Sequence, residues 1–359
     1  MNLLILLLII LGIGCTAALV AYFTRKHSDP SPVQVVPEIT PNLPEDEGYT
    51  DDGFADNLFN TTFPNMPSNL FLNPKGDPTK TAILFGINEC SPMVYQGDSL
   101  RLRGCVNDSL HVRSFLCNYG SYGKIWLFRD KEATIGNFLD VWRRTVADLK
   151  DGDTLLLQMS RHGMSLGKGV LDNDAETSKV VSDGVFSGDQ AAVMHDGIIV
   201  DDCFWRLFLE LPRVKLIYLN DSCHSATQYK LADLQLFKEA QHKYRARRAV
   251  SNTYLPAKNK VLDLAQLDKL FPSSKKEPLF TLVSIAGCQD WEFAADAFIN
   301  RKYQGAFTFA LLNALNKKKD STPRELSQSV PKILKSRGFT QNPQINIEGD
   351  QSYWDKPLV

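Results

Sequence analysis

From residue 80 onward, short apolar runs alternate with amphipathic stretches. Residues 81–87 (TAILFGI) show the pattern of a strand buried on both faces of a sheet. Residues 124–128 (KIWLF), 154–159 (TLLLQM), 214–219 (VKLIYL) and 279–286 (LFTLVSIA) repeat it, and 344–347 add an edge strand. Residues 108–117 carry apolar side chains at helical spacing, with Gly120 just past their end. Residues 134–149 predict a helix capped by Thr134, with Phe138, Val141, Trp142, Val146 and Leu149 on one face. Further helices are predicted from about Asp202 to Glu210, over 307–315 and over 323–336. Strands alternating with amphipathic helices predict an α/β fold, a mostly parallel central sheet flanked by helices.

Two N-terminal segments break this pattern. Residues 3–23 hold no charged side chain; about 21 residues at about 1.5 Å rise span roughly 30 Å, the thickness of a bilayer's hydrocarbon core. A cleaved signal peptide would carry a basic start and a shorter apolar stretch. A lipoprotein signal ending at Cys15 would need a branched residue where Gly12 stands. The expectation is a retained transmembrane helix, a single-pass anchor over residues 1–27. Arg25, Lys26 and His27 follow it and nothing basic precedes it, so the positive-inside bias places the remainder in the cytoplasm. Residues 28–78, rich in proline and acidic clusters, read as a disordered tether. The domain proper then runs over 79–359.

Composition narrows the function classes. Forty basic residues against 41 acidic give a net charge of −1, which offers nucleic acid no electrostatic footing. The seven cysteines form no CxxC pair or regular framework, so they read as reduced thiols and no zinc site is expected. A monomer is expected. Residues 230–278 form the least patterned part of the domain and contain the basic run Lys243-Tyr244-Arg245-Ala246-Arg247-Arg248. A solvated helix followed by a loop is one reading; a processing site between two halves of the domain is the other.

Two of the predicted strands end in turns of small polar residues: Ser160-Arg161-His162-Gly163 and Asn220-Asp221-Ser222-Cys223-His224-Ser225. In open parallel sheets the crevice lies outside the carboxyl ends of the strands. One imidazole and one thiol would thus reach a common rim on rigid supports, the arrangement a nucleophile and its base require. A neighbouring imidazolium lowers a thiol's pKa. Gly163 would let backbone approach a developing oxyanion, where a donor is worth about 3–4 kcal/mol.

The wording of these turns resembles the metacaspases, caspase-like cysteine peptidases. Residues 160–163 are similar to the family's S-G-H-G, and Asp221 to Ser225 to its D-S-C-H-S-G. Leu102-Arg103-Gly104-Cys105-Val106-Asn107-Asp108 resembles L-R-G-C-x-N-D. Ser284-Ile285-Ala286-Gly287-Cys288-Gln289-Asp290, followed by Ala294-Ala295-Asp296, resembles the small-subunit block, and Gln341-Asn342-Pro343-Gln344 the closing Q-x-P-Q. All occur in family order from about residue 80 to 347.

The resemblance implies a caspase-like fold of type I character, with a large-subunit-like region over 79–229, a linker over 230–278 and a small-subunit-like region over 279–359. It implies Cys223 as nucleophile and His162 as base and acid. It implies an acidic pocket lined by Asp108, Asp221 and Ser160 with Cys105 beside them, taking Arg or Lys before the scissile bond. For Asp221 a turn residue ordering the cysteine loop is the competing reading. Asp189, Asp201 and Asp202 match three of four calcium-binding aspartates, while the fourth position is Lys230, whose ammonium would repel the ion; an acidic solvated loop is the alternative. Arg161 and Ala226 replace family glycines. The expected function is a membrane-anchored, calcium-activated and self-processing cysteine endopeptidase; the alternative is a catalytically weak or inactive caspase-fold binding or scaffold protein.

Overall fold

The computed structural model describes residues 69–91, 101–165, 190–222, 245–246, 248–249, 260–271, 277–289, 292 and 294–359. Along the chain these form β1 (Leu70–Leu72), β2 (Asp77–Gly86), α1 (Cys105–Asn118), β3 (Tyr122–Arg129), α2 (Ile135–Asp148), β4 (Thr154–Ser160), β5 (Gly163–Ser165), β6 (Gln190–Val193) and β7 (Ile198–Val200). Then follow α3 (Asp202–Phe208), β8 (Lys215–Asp221), β9 (Arg245–Ala246), β10 (Arg248–Ala249), β11 (Val261–Leu262), α4 (Leu264–Leu270), β12 (Thr281–Ala286), β13 (Ala295–Ile299), β14 (Lys302–Gly305), α5 (Ala306–Lys317), α6 (Pro323–Ser336) and β15 (Gln344–Glu348).

Seven strands make the central sheet in the order β1-β3-β2-β4-β8-β12-β15. Its five inner strands run parallel, and β1 and β15 close the edges antiparallel. The apolar runs behave as a doubly covered sheet demands. In β2, Ile83 and Phe85 enter one core while Ala82 and Leu84 enter the other. The first core packs the sheet against Phe138, Val141 and Trp142 of α2 and Phe204, Leu207 and Phe208 of α3. The rings of Phe138 and Phe204, and of Trp142 and Phe208, lie 5.6 Å apart, and each such pair contributes about 0.5–1.5 kcal/mol beyond burial. The second core takes Val112 and Phe115 of α1, Phe307 and Leu311 of α5, and Leu326 and Val330 of α6.

The predicted parallel α/β sheet is therefore present. Its boundaries differ in two places. Residues 69–78, read as the end of the tether, include β1 and the start of β2, because Leu70 and Phe71 find a partner strand in Ile125 and Trp126. The region 230–278, read as helix and loop, supplies β9, β10, β11 and α4. The predicted span at 3–23 lies outside the described residues; among those described, no helix is long and apolar enough to cross a membrane.

Candidate active site

Strand register sets the site. Gly86 of β2 lies opposite Ser160 of β4, Ser160 opposite Asp221 of β8, and Ala286 of β12 opposite Asn220. The carboxyl ends of four parallel strands are thus level. Backbone bonds continue the rim: Ile87 N–H donates to Ser160 O at 2.9 Å, and Gly287 N–H to Asn220 O at 2.9 Å. His162 leaves this rim two residues past Ser160. Cys223 lies outside the described residues, one step past Ser222, which leaves the rim beside Asp221. Neighbouring strands are about 4.8 Å apart, so the two turns start from adjacent positions.

His162 is buried, and its carbonyl oxygen accepts from the Val193 N–H at 3.2 Å and from Arg161 Nη1 at 3.0 Å. Gly163 opens β5, opposite Ala192 on one side and Arg248 on the other. The described part of the basic run and the residue after it are paired nearby: Arg245 and Ala246 pair antiparallel with Asp296 and Ala295 of β13, and Arg248 and Ala249 pair parallel with Gly163 and Met164.

Asp108 and Asp221 meet at one helix end. Asp108 Oδ1 accepts the Gly305 N–H at 2.8 Å, while Asp221 Oδ2 accepts the Thr308 N–H at 3.2 Å and its hydroxyl at 2.5 Å. Gly305 is the N-cap of α5 and offers no capping side chain of its own. The first turn of a helix leaves unpartnered N–H groups and a partial positive charge, and both buried carboxylates answer it. Asp221 is accordingly the last residue of β8 and a cap for α5, rather than a turn residue. Ser160 stands beside it in register, its Oγ accepting from Gln158 Nε2 at 2.7 Å, and Cys105 is buried in the first turn of α1, one turn before Asp108.

Two further side chains complete the rim, unforeseen from the sequence as site residues. Asp296 accepts the Arg103 N–H at 2.8 Å and the Gly104 N–H at 2.9 Å. Asn88 Oδ1 accepts the Cys105 and Val106 N–H groups at 2.9 and 3.3 Å. Together they cap α1, which therefore begins at Cys105, three residues earlier than periodicity predicts. A Cβ at position 104 would lie 2.3 Å from Asp296 Oδ1, so only glycine fits there.

Of the aspartates proposed for calcium, Asp201 is the exposed N-cap of α3, its Oδ1 accepting the Asp202 N–H at 3.2 Å and its own N–H donating to Gln190 O at 2.9 Å. Asp189, Lys230 and Ala226 lie outside the described residues. Among those described, no group of three or more His, Cys, Asp or Glu side chains is placed to hold a metal. Other thiols are held protonated: burial and Asp130 push Cys90 up to about 12, burial pushes Cys117 to about 11, and burial raises Cys203 as well.

A family model described as "Metacaspase, peptidase C14 domain" matches residues 80–232. Metacaspase-1 of Scheffersomyces stipitis is 25% identical over 301 residues, covering 76% of this chain and 71% of that one. Metacaspase-1B of Aspergillus terreus is 26% identical over 295 residues, 74% of each. Among solved structures, protein GSU0716 from Geobacter sulfurreducens superposes with a TM-score of 0.55 at 20% identity, covering 78% of this chain and 97% of that one, a likeness of fold.

Proposed function

This chain is a metacaspase-type cysteine peptidase, and from that premise we propose that it is an endopeptidase cleaving after Arg or Lys through Cys223 and His162. The observation that carries the reading is the level register of Gly86, Ser160 and Asp221, which starts the imidazole-bearing and thiol-bearing turns side by side. His162 takes the thiol proton, and the Cys223 thiolate adds to the scissile carbonyl carbon. The backbone at Gly163 faces the developing oxyanion. Collapse of the adduct expels the amine, protonated by His162, and leaves a thioester that water hydrolyses. Asp108 and Asp221 supply the negative charge that a guanidinium or ammonium would answer.

Self-processing belongs to the same reading. His162, Ser160, Cys105, Asp108 and Asp221 are all buried, and the basic run is paired to β13 and β5. The pairing of Arg245–Ala246 with β13 and of Arg248–Ala249 with Gly163 and Met164 supports this run as the segment to be cleaved. Cleavage within it would free the Gly163 edge.

Calcium is proposed as activator. Asp201 and Asp202 give hard oxygen donors on consecutive residues, a donor chemistry that fits this ion, with Asp189 as the third ligand. Bound calcium would neutralise that acidic cluster, and Lys230 keeps the affinity weak. The anchor at residues 1–27 would hold the domain at the cytoplasmic face of a membrane.

Hydrolysis of fluorogenic peptides with Arg, Lys or Asp at P1, across a calcium titration, tests the function. Arg and Lys peptides are cleaved, the Asp peptide is not, and Cys223→Ala falls to background. Equal rates for wild type and Cys223→Ala overturn the reading.

A further inference from the structure

Residue 161 is where the chain puts an arginine in place of the glycine of the pattern it resembles. The side chain is buried at 2% exposure. A buried guanidinium is costly unless hydrogen-bonded, and the bonds this one makes join two strand ends. Nη1 donates to the carbonyl oxygen of His162 at 3.0 Å and reaches Oγ of Ser222 at 3.5 Å. That Oγ in turn donates to Asn220 Oδ1 at 2.8 Å. The Arg161 N–H reaches Asp221 O at 3.4 Å, and Tyr218 on β8 lies near enough to the guanidinium to favour its charged form. The titratable groups around it are Tyr218, Cys105 and Asp201. Burial disfavours its proton, and those three groups favour it.

We propose that Arg161 is a positioning residue whose guanidinium ties the turn carrying His162 to the turn carrying Cys223. The proposal rests on the Cys223–His162 reading above. The contacts of Arg161 run from Nη1 to the His162 carbonyl and the Ser222 hydroxyl, while its buried Nε has no partner among the described residues, so it acts through the geometry of the pair and forms no bond to substrate. Shape matters as well as charge, because Nη1 makes both contacts from a planar guanidinium with fixed N–H directions, which a flexible ammonium does not reproduce.

The test uses full-length Arg161→Met, Arg161→Lys and Ser222→Ala, with thermal melting as the control for folding. Two readouts follow: kcat and KM on a P1-Arg peptide, and the pH profile of iodoacetamide alkylation at Cys223. Misplacing a reacting pair by about 1 Å costs about 10²-fold, so Arg161→Met loses about 100-fold in kcat with KM little changed. Its alkylation midpoint moves to higher pH as the thiolate loses its imidazolium neighbour. Arg161→Lys recovers part of kcat, and Ser222→Ala shifts both readouts in the same direction by less.

A folded Arg161→Met with wild-type kcat and alkylation profile overturns the proposal. So does a fall in kcat that merely tracks melting temperature while the alkylation profile stays in place. Should Arg161→Met not fold, Ser222→Ala decides: wild-type kcat and profile overturn the proposal, and shifts in both support it. Activity that survives Cys223→Ala defeats the peptidase reading itself, whereas an active wild type with an indifferent Arg161→Met defeats only the tie.

Discussion

Asp221 shows how one carboxylate serves both the fold and the candidate chemistry. Its Oδ2 holds the first turn of α5, and its position at the end of β8 puts charge beside the turn that leads to Cys223. Asn at this position keeps an acceptor for Thr308 but removes the charge. Asp221→Asn is therefore expected to cost about 1 kcal/mol of stability, while kcat/KM on a P1-Arg peptide falls at least about tenfold. Chemical denaturation and steady-state kinetics on the same preparation separate the two effects. Cysteine environments give a second prediction at this scale. The nucleophile of a metal or alkylation reaction is the thiolate, and burial keeps Cys90, Cys117 and Cys203 in the thiol form. At pH 7.5, iodoacetamide labelling followed by peptide mapping should find Cys223 modified while those three are untouched. His162, Asp108 and Asp221 were legible because local wording marks them. Asp296 and Asn88 were not assigned roles because their work is done on backbone donors at Arg103 to Val106, 192 residues away for the Asp296–Gly104 bond, and no local pattern records such a pairing.

Among elements, the long ones followed from hydrophobic patterning because each has enough residues to express a period. α2 begins after Thr134, whose side chain accepts the Asn137 N–H, and α6 occupies Pro323–Ser336 as predicted. α6 is capped locally: Thr322 and Glu325 exchange side-chain and backbone bonds, with Pro323 in the first turn. Thr322→Ala should cost about 1 kcal/mol in denaturant unfolding and leave kcat/KM unchanged, because α6 packs on the second core away from the rim. The short strands escaped the sequence. β5, β7, β9, β10 and β11 have two or three residues each, too few for alternation to register, and their pairing is a matter of tertiary placement. β1 escaped for another reason: proline and glycine around it spoke for a loop, and only β3 shows it a partner edge.

For the whole molecule, the sequence motifs named the chemistry while strand order and register supply its geometry. No spacing along the chain says that β4 lies between β2 and β8, yet this order is what brings the turn that starts at Ser160 beside the end of β8 at Asp221. The pairing of the basic run with β13 and β5 has a direct consequence. On incubation with calcium, wild-type chain should break C-terminal to a basic residue between Arg245 and Arg248, seen as two fragments by intact mass, and Cys223→Ala should stay whole. The central claim, that a thiol and an imidazole from distant segments share one acid-lined cleft, is tested most directly by an active-site trap. A peptidyl fluoromethyl ketone with Arg at P1 is reacted with the protein and the adduct mapped by mass spectrometry. The account predicts a single thioether at Cys223, formed at least about 100-fold more slowly in His162→Ala and not formed with Asp at P1. Modification of Cys223 at the same rate with and without His162, or the absence of any adduct there in an active preparation, would contradict it.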